Sequence, residues 1–247
     1  MIWAANWKMN LAPKESLAFL QTINAKIDDS LQKQIIVFPQ NYSLGLLENI
    51  FTHSPMQWGA QNIHPENDGA FTGENSVEQL VKMGAQWVLV GHSERRKFFQ
   101  ETNESCSVKI AFLQSKQIKP MYCVGENIAE REAGKTDLVL EEQLKVGLSK
   151  IDPQQSFSIA YEPVWAIGTG QVASPEQVEE AHLCIRRFLA DNISKELAAN
   201  TPILYGGSVK AKNCEDLAKV NHVDGFLIGG ASLDIDEFCQ IIEQTKN

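Results

Sequence analysis

Eight short apolar runs recur along the whole chain, and each is followed within a few residues by polar side chains or glycine. They are Ile2–Ala5, Ile35–Phe38, Met56–Ala60, Trp87–Val90, Pro120–Val124, Phe157–Tyr161, Ile203–Tyr205 and Gly225–Ile228. Near-continuous apolar runs are what strands need when both faces are covered, as in parallel sheets flanked by helices. Between the runs lie segments whose apolar positions recur at helical spacing, among them Lys14–Lys26, Val77–Met83, Asp137–Leu148 and Pro175–Leu189. One helix start is marked in detail: Ser174 as N-cap, Pro175 at the first helical position and Gln177 as capping-box partner. No linker, low-complexity tract or charge block divides the 247 residues. The chain therefore reads as α/β, a single eight-stranded parallel (β/α)8 barrel forming one domain over residues 1–247.

In such a barrel the residues just after each strand converge on the C-terminal face, where active sites of this fold lie. In order they are Asn6 and Lys8; Gln40 and Asn41; Gln61 and Asn62; His92, Ser93 and Glu94; Glu126; Glu162; Gly206, Gly207 and Ser208; and Gly229 with Gly230. A functional site on that face is expected. Glu162 is the sharpest candidate. It ends an apolar strand and is followed by a rigid turn at Pro163, an apolar segment with Trp165, and Gly168-Thr169-Gly170. That is the layout of a catalytic base beside a segment able to close over it; a surface glutamate before an ordinary loop is the plainer alternative.

His92 would act as proton donor or electrophile, and a helix starting near Ser93 would favour its neutral form. The glycine pairs after the last two strands let backbone N–H groups approach an anion, although two tight turns would use the same residues. Gly229-Gly230-Ala231-Ser232 could also open a short helix. Lys8 would supply a counter-charge, with Glu94 holding it. Of Arg95 and Arg96, at least one is expected in a structural ion pair. His53, His64, His182 and His222 read as structural or solvated. The irregular stretch Gln61–Glu74, with Phe71 between glycines, suggests a protruding loop that buries itself in another subunit.

Composition narrows the partners. Lys and Arg number 22 against 31 Asp and Glu, a net charge of −9. Such a surface argues against nucleic acid or an anionic membrane as the main partner. The N-terminus shows no signal-peptide pattern, and no apolar run is long enough for a membrane helix. The 5 cysteines are scattered without a C-x-x-C, which fits reduced thiols in a cytoplasmic protein.

Seven segments, in this order, resemble the triosephosphate isomerase family: Asn6-Trp7-Lys8-Met9-Asn10, Gly69–Glu74, Gly91–Arg96, Cys123–Glu126, Tyr161–Gly170, Tyr205–Val209 and Gly225–Ala231. The resemblance runs from the first strand to the last. It implies a TIM barrel that interconverts dihydroxyacetone phosphate and glyceraldehyde 3-phosphate through an enediolate, in glycolysis and gluconeogenesis. It further implies Glu162 as the base and His92 as the neutral electrophile. This family is itself the standard example of that pairing, so the roles come from the resemblance. Lys8 and Asn6 would stabilise charge and orient substrate, with Glu94 beside Lys8. Gly168, Ser208, Gly229 and Gly230 would hold phosphate.

The lid implied is Pro163, Val164, Trp165, Ala166, Ile167, Gly168, Thr169 and Gly170, held shut by Tyr205 and Ser208. Closure would exclude water from a labile intermediate. No metal or organic cofactor is implied. Thr72, with Phe71 and Glu74, would enter a partner subunit near Asn6 and Glu94, making a homodimer. The chain departs from the family's pattern at Ala5, at Tyr122 and at Pro39-Gln40, none of them a proposed catalytic group.

Rival readings keep the barrel and change the chemistry. A Schiff-base aldolase wants a desolvated lysine on a middle strand, and none stands at the ends of strands four to seven. A metal-dependent hydrolase wants paired strand-end histidines, and only His92 qualifies. Another enzyme of small sugar phosphates, or a non-catalytic barrel scaffold, remains as the alternative.

Overall fold

The computed structural model describes residues 1–168 and 170–246. Eight parallel strands close into a barrel in chain order: β1 (Ile2–Asn6), β2 (Ile35–Phe38), β3 (Gln57–Ala60), β4 (Trp87–Val90), β5 (Lys119–Val124), β6 (Ser158–Tyr161), β7 (Ile203–Tyr205) and β8 (Gly225–Ile228). Closure is made by β8 against β1, with Ile2 opposite Gly225 and Ala5 opposite Ile228. Four strands differ from the sequence reading by one residue at one end. Asn6 belongs to β1 and Lys119 to β5, whereas Met56 and Phe157 stand just outside β3 and β6, still buried.

The continuous apolar runs are explained by alternation across the barrel wall. Ala4, Ile36, Phe38, Trp87, Leu89, Met121, Cys123, Ala160, Leu204 and Leu227 pack together in one cluster inside the barrel. Their neighbours in sequence, such as Ala5, Val37, Val88, Tyr122, Ile159, Ile203 and Phe226, join a second, larger cluster beneath the surrounding helices. Neither face of a strand meets water, so neither needs polar residues.

Helix Pro175–Asn192 starts as expected: Ser174 Oγ accepts from Gln177 N–H at 3.3 Å and Gln177 Oε1 accepts from Ser174 N–H at 2.9 Å. The other expected helices run Pro13–Lys26, Val77–Lys82 and Thr136–Gly147. Gly230–Leu233 forms a 3-10 turn. Among the described residues no helix is long and apolar enough to cross a membrane.

Candidate active site

Five strand ends bring their residues into one cleft of about 480 Å³. It is lined by Asn6, Lys8, His92, Glu94, Glu162, Gly168, Gly170, Ser208, Gly229 and Gly230, among others. The sequence-predicted catalytic and substrate-binding residues are thus assembled in a single place, out of segments up to 224 positions apart (Asn6 to Gly230).

His92 caps the helix Ser93–Phe99, with Nδ1 accepting from Glu94 N–H at 3.3 Å. Gly91 makes this turn possible: its φ is +73°, a region costly to residues with a Cβ. With Nδ1 accepting, the ring proton is on Nε2, which lies 2.9 Å from Glu162 Oε1. The same carboxylate takes Ser93 N–H at 2.9 Å on Oε2. Glu162 is 2 % exposed and His92 4 %.

Burial is the largest single cause and would depress the imidazole's pKa and raise the carboxyl's, but the opposite charge and the hydrogen bonds together outweigh it, so His92 is raised above its ordinary 6.5 and Glu162 lowered below 4.5. The helix N-terminus reaches Nδ1, which accepts Glu94 N–H as the neutral ring would, while the carboxylate on Nε2 works the other way.

Lys8 follows β1 in a left-handed conformation, φ +50°, unusual outside glycine and asparagine. Asn6 Oδ1 accepts from Lys8 N–H at 3.0 Å, and Gln61 Nε2 donates to the Lys8 carbonyl at 2.8 Å. The ammonium meets Glu94 Oε1 at 2.7 Å, as expected from the sequence. A methyl group on Gly229 would stand 3.3 Å from Lys8 Cε, so the cation borders the glycine cradle directly. Strained backbone held by side-chain bonds at such a point is a mark of function.

The segment after Glu162 forms a 3-10 turn at Val164–Ala166. Trp165 Nε1 donates to Glu126 Oε1 at 2.8 Å, and Arg131 stacks over the indole at 5.2 Å. Ile167, Gly168, Gly170 and Val172 line the cleft's rim. Thr169 lies outside the described residues. The Tyr205 hydroxyl is buried beside the Ala173 backbone without a hydrogen bond of normal geometry. Ser208 lines the cleft.

Several strand-end groups do not join this cleft. Glu126 is fully buried and accepts from Tyr161 Oη, Trp165 and Arg131. Gln40, Asn41, Gln61 and Asn62 line a second cleft of about 530 Å³, which shares Asn6, Lys8, His92 and Glu94 with the first. Phe98 and Phe99, both about two-thirds exposed, edge it. Phe71 and Thr72 are exposed on their own loop, with Phe71 packed on His64 at 4.0 Å. Both arginines are structural: Arg95 pairs with Glu101 at 2.7 Å, and Arg96 binds backbone and side chains beneath the site. Sequence reasoning missed Ser93 as the group holding Glu162 and Gln61 as the one fixing Lys8. A serine at the first position of a helix facing a strand-end carboxylate was the available signal.

His182 is fully buried with Nδ1 2.9 Å from the His222 carbonyl oxygen, and burial pushes it down to about 4. Cys123 is fully buried in the barrel interior, and burial pushes its thiol well up, which disfavours the thiolate a nucleophile needs. Among the described residues no group of three or more His, Cys, Asp or Glu side chains could hold a metal ion.

The sequence model of the triosephosphate isomerase family matches residues 1–245. The chain belongs to the triosephosphate isomerase family. Curated relatives named triosephosphate isomerase match over nearly the full length. That of Leptospira borgpetersenii is 46% identical over 241 residues, covering 95% of this chain and 96% of the relative. That of Bdellovibrio bacteriovorus is 45% identical, covering 97% and 98%. That of Chlamydia muridarum is 44% identical, covering 97% and 89%. Family membership excludes the aldolase, hydrolase and scaffold alternatives.

Proposed function

We propose that Glu162, His92, Lys8 and Asn6 carry the interconversion of dihydroxyacetone phosphate and glyceraldehyde 3-phosphate, the reaction of the family to which this chain belongs. The observation that carries the assignment is the Glu162–His92 contact of 2.9 Å in a cleft that also holds the Lys8 ammonium. Glu162 leaves Ser93 and removes a proton from the carbon beside the substrate carbonyl. Nε2–H of His92 donates to the carbonyl oxygen as it gains negative charge. Lys8 stabilises that charge and, with Asn6, orients the substrate. Nε2 of His92 gives its proton to the former carbonyl oxygen and takes one back from the neighbouring hydroxyl, and Glu162 returns its proton to the carbon that bore the carbonyl, so the aldose and ketose exchange without net loss or gain of atoms.

The phosphate sits against Gly168, Ser208, Gly229 and Gly230. When Glu162 turns to the substrate, the cause that raises His92 moves away. Burial and the adjacent Lys8 then favour the neutral ring. The Pro163–Gly170 segment closes over the substrate, breaking its Trp165 bond to Glu126 and engaging Tyr205 and Ser208. Water exclusion strengthens the electrostatics inside.

The second cleft supports a homodimer, in which Thr72 and Phe71 of one subunit enter the cleft beside Asn6 and Glu94 of the other, a cleft that each subunit's own Glu74 helps to line. The chain works as one catalytic domain over 1–247 in the cytoplasm, where reduced thiols such as buried Cys106, Cys123 and Cys214 persist. It acts on no nucleic acid or membrane and needs no cofactor. The test is turnover of glyceraldehyde 3-phosphate in the presence of chelator, coupled to a dehydrogenase that reads dihydroxyacetone phosphate. Rapid turnover lost in Glu162→Gln is expected; a folded wild type without turnover refutes the reading.

A further inference from the structure

Tyr122 is fully buried on β5, between the strand that ends at His92 and the strand that ends at Glu162. Its phenol joins two clamps. On the His92 side, one guanidinium gathers the strand ends: Arg96 donates Nε to the Gly91 carbonyl at 2.7 Å, and Nη2 to the Cys123 carbonyl at 3.1 Å and to Tyr122 Oη at 3.2 Å. Gly91 is the residue whose left-handed turn aims His92. On the Glu162 side, Tyr122 Oη donates to the Gln143 carbonyl at 2.7 Å. The Gln143 side chain holds both backbone groups of Gly125, accepting its N–H at 2.8 Å and donating to its carbonyl at 3.0 Å.

Gly125 in turn packs on the Glu162 carbonyl so tightly that any side chain there would collide with it. Glu162 N–H donates to the Val124 carbonyl at 2.7 Å. Burial raises the phenol's pKa well above its ordinary value, so Oη keeps the proton it gives to Gln143. The space for it comes from Gly147, where an added Cβ would overlap the Tyr122 hydroxyl.

We infer that Tyr122 is a positioning residue for the isomerisation, its hydroxyl tying the Arg96 clamp behind His92 to the Gln143 clamp behind Glu162. The inference rests on the catalytic roles proposed above for those two residues. The hydroxyl touches no substrate and borders no phosphate group. Its loss therefore reaches turnover through the relative placement of base and electrophile, and leaves ground-state binding alone.

The test compares wild type, Tyr122→Phe and the double variant Tyr122→Leu/Gly147→Ala. In the double variant the alanine methyl refills space that the phenol vacates, so packing is repaired while the hydroxyl stays absent. Turnover number, KM and thermal midpoint are measured for each. A 1 Å misplacement costs ~10²-fold, and a displacement of part of that should lower kcat about tenfold in both variants. KM is expected within about twofold of wild type, since the phosphate cradle is unchanged. Wild-type kcat in folded Tyr122→Phe would overturn the inference. So would recovery of kcat in the double variant, which would make the residue a matter of packing alone. If Tyr122→Phe does not fold, a folded double variant decides by the same kcat criterion. Failure of both to fold would make Tyr122 a folding residue and also refute the claim. Wild type assayed alongside separates the two readings: without isomerase turnover in wild type, the parent assignment falls and not merely this one.

Discussion

Glu162→Asp isolates position from chemistry, because it keeps the carboxylate and moves it. The backbone at this point cannot advance to compensate. Glu162 N–H is bonded to the Val124 carbonyl at 2.7 Å, and the preceding Tyr161 carbonyl takes Gly206 N–H at 2.7 Å. Gly125 stands against the Glu162 carbonyl, and a Cβ on Gly206 would lie 3.0 Å from Glu162 Cγ. The head group therefore retracts by about one carbon–carbon bond, ~1.5 Å. Contacts of 2.9 Å to His92 Nε2 and Ser93 N–H then stretch beyond hydrogen-bond range.

A base must stand about 3–3.5 Å from the carbon it deprotonates, and misplacement by 1 Å costs ~10²-fold. The expected loss in kcat is ~10²- to 10³-fold, or about 2.7–4 kcal/mol of barrier. KM should change only a few-fold, since phosphate contacts are untouched. The coupled dehydrogenase assay in both directions, with a thermal midpoint to verify folding, reads this directly. A folded variant with kcat within about threefold of wild type would show that Glu162 does not move the proton. A rise in KM at constant kcat would make it a binding group instead.

Four further outcomes are expected. In wild type without substrate, ring-proton NMR should place His92 above its ordinary 6.5, and in Glu162→Gln the value should fall; equal values would refute the charge pairing. By linkage, stability from His92 is lost as pH rises above 6.5 and that from Glu162 as pH falls below 4.5, so the wild type's advantage over Glu162→Gln in chemical denaturation should peak between these values. Lys8→Met should lower kcat/KM by about 10- to 100-fold, some 1.4–2.7 kcal/mol, with most of the loss removed for a substrate lacking phosphate only if Lys8 serves the phosphate rather than the oxyanion. Phe98→Glu should convert a dimer into monomers in sedimentation with a concurrent fall in turnover; a fully active wild-type monomer at micromolar concentration would exclude the loop-exchange dimer.

The strands were legible because continuous apolar runs have few alternatives at this length, and all eight fall within one residue of the sequence reading. Helix Asn103–Ser115 was not, because it buries Ser107, Lys109 and Gln114. These polar groups break the apolar spacing and are satisfied from elsewhere, Lys109 by Asn62 at 2.7 Å and Glu101 at 3.0 Å, Gln114 by the Asp152 carbonyl at 3.1 Å. Strand-end position pointed to Lys8, His92 and Glu162, which meet in one cleft because a barrel sends all such residues to one rim. It could not divide that rim. Gln61 and Asn62 share the face with Glu162 yet open onto the neighbouring cleft. Gln61 and Arg96 reach the backbone beside Lys8 and His92, and Tyr122 the Arg96 and Gln143 side of the neighbouring strands, through contacts across strands, and no spacing along the chain records those.

His92 shows why protonation is harder to read than position. A histidine at a helix N-terminus faces positive peptide dipoles, and burial also disfavours its charge, so the sequence points to a neutral ring. Both causes are present, yet the carboxylate at 2.9 Å reverses the balance. That carboxylate comes from a residue 70 positions away whose orientation is set by Ser93 N–H. The direction in which the His92 pKa moves is therefore a property of where Glu162 points. In the proposed mechanism, turning the carboxylate toward substrate removes the residue that raises the ring most, so preparing the base and preparing a neutral electrophile become a single movement.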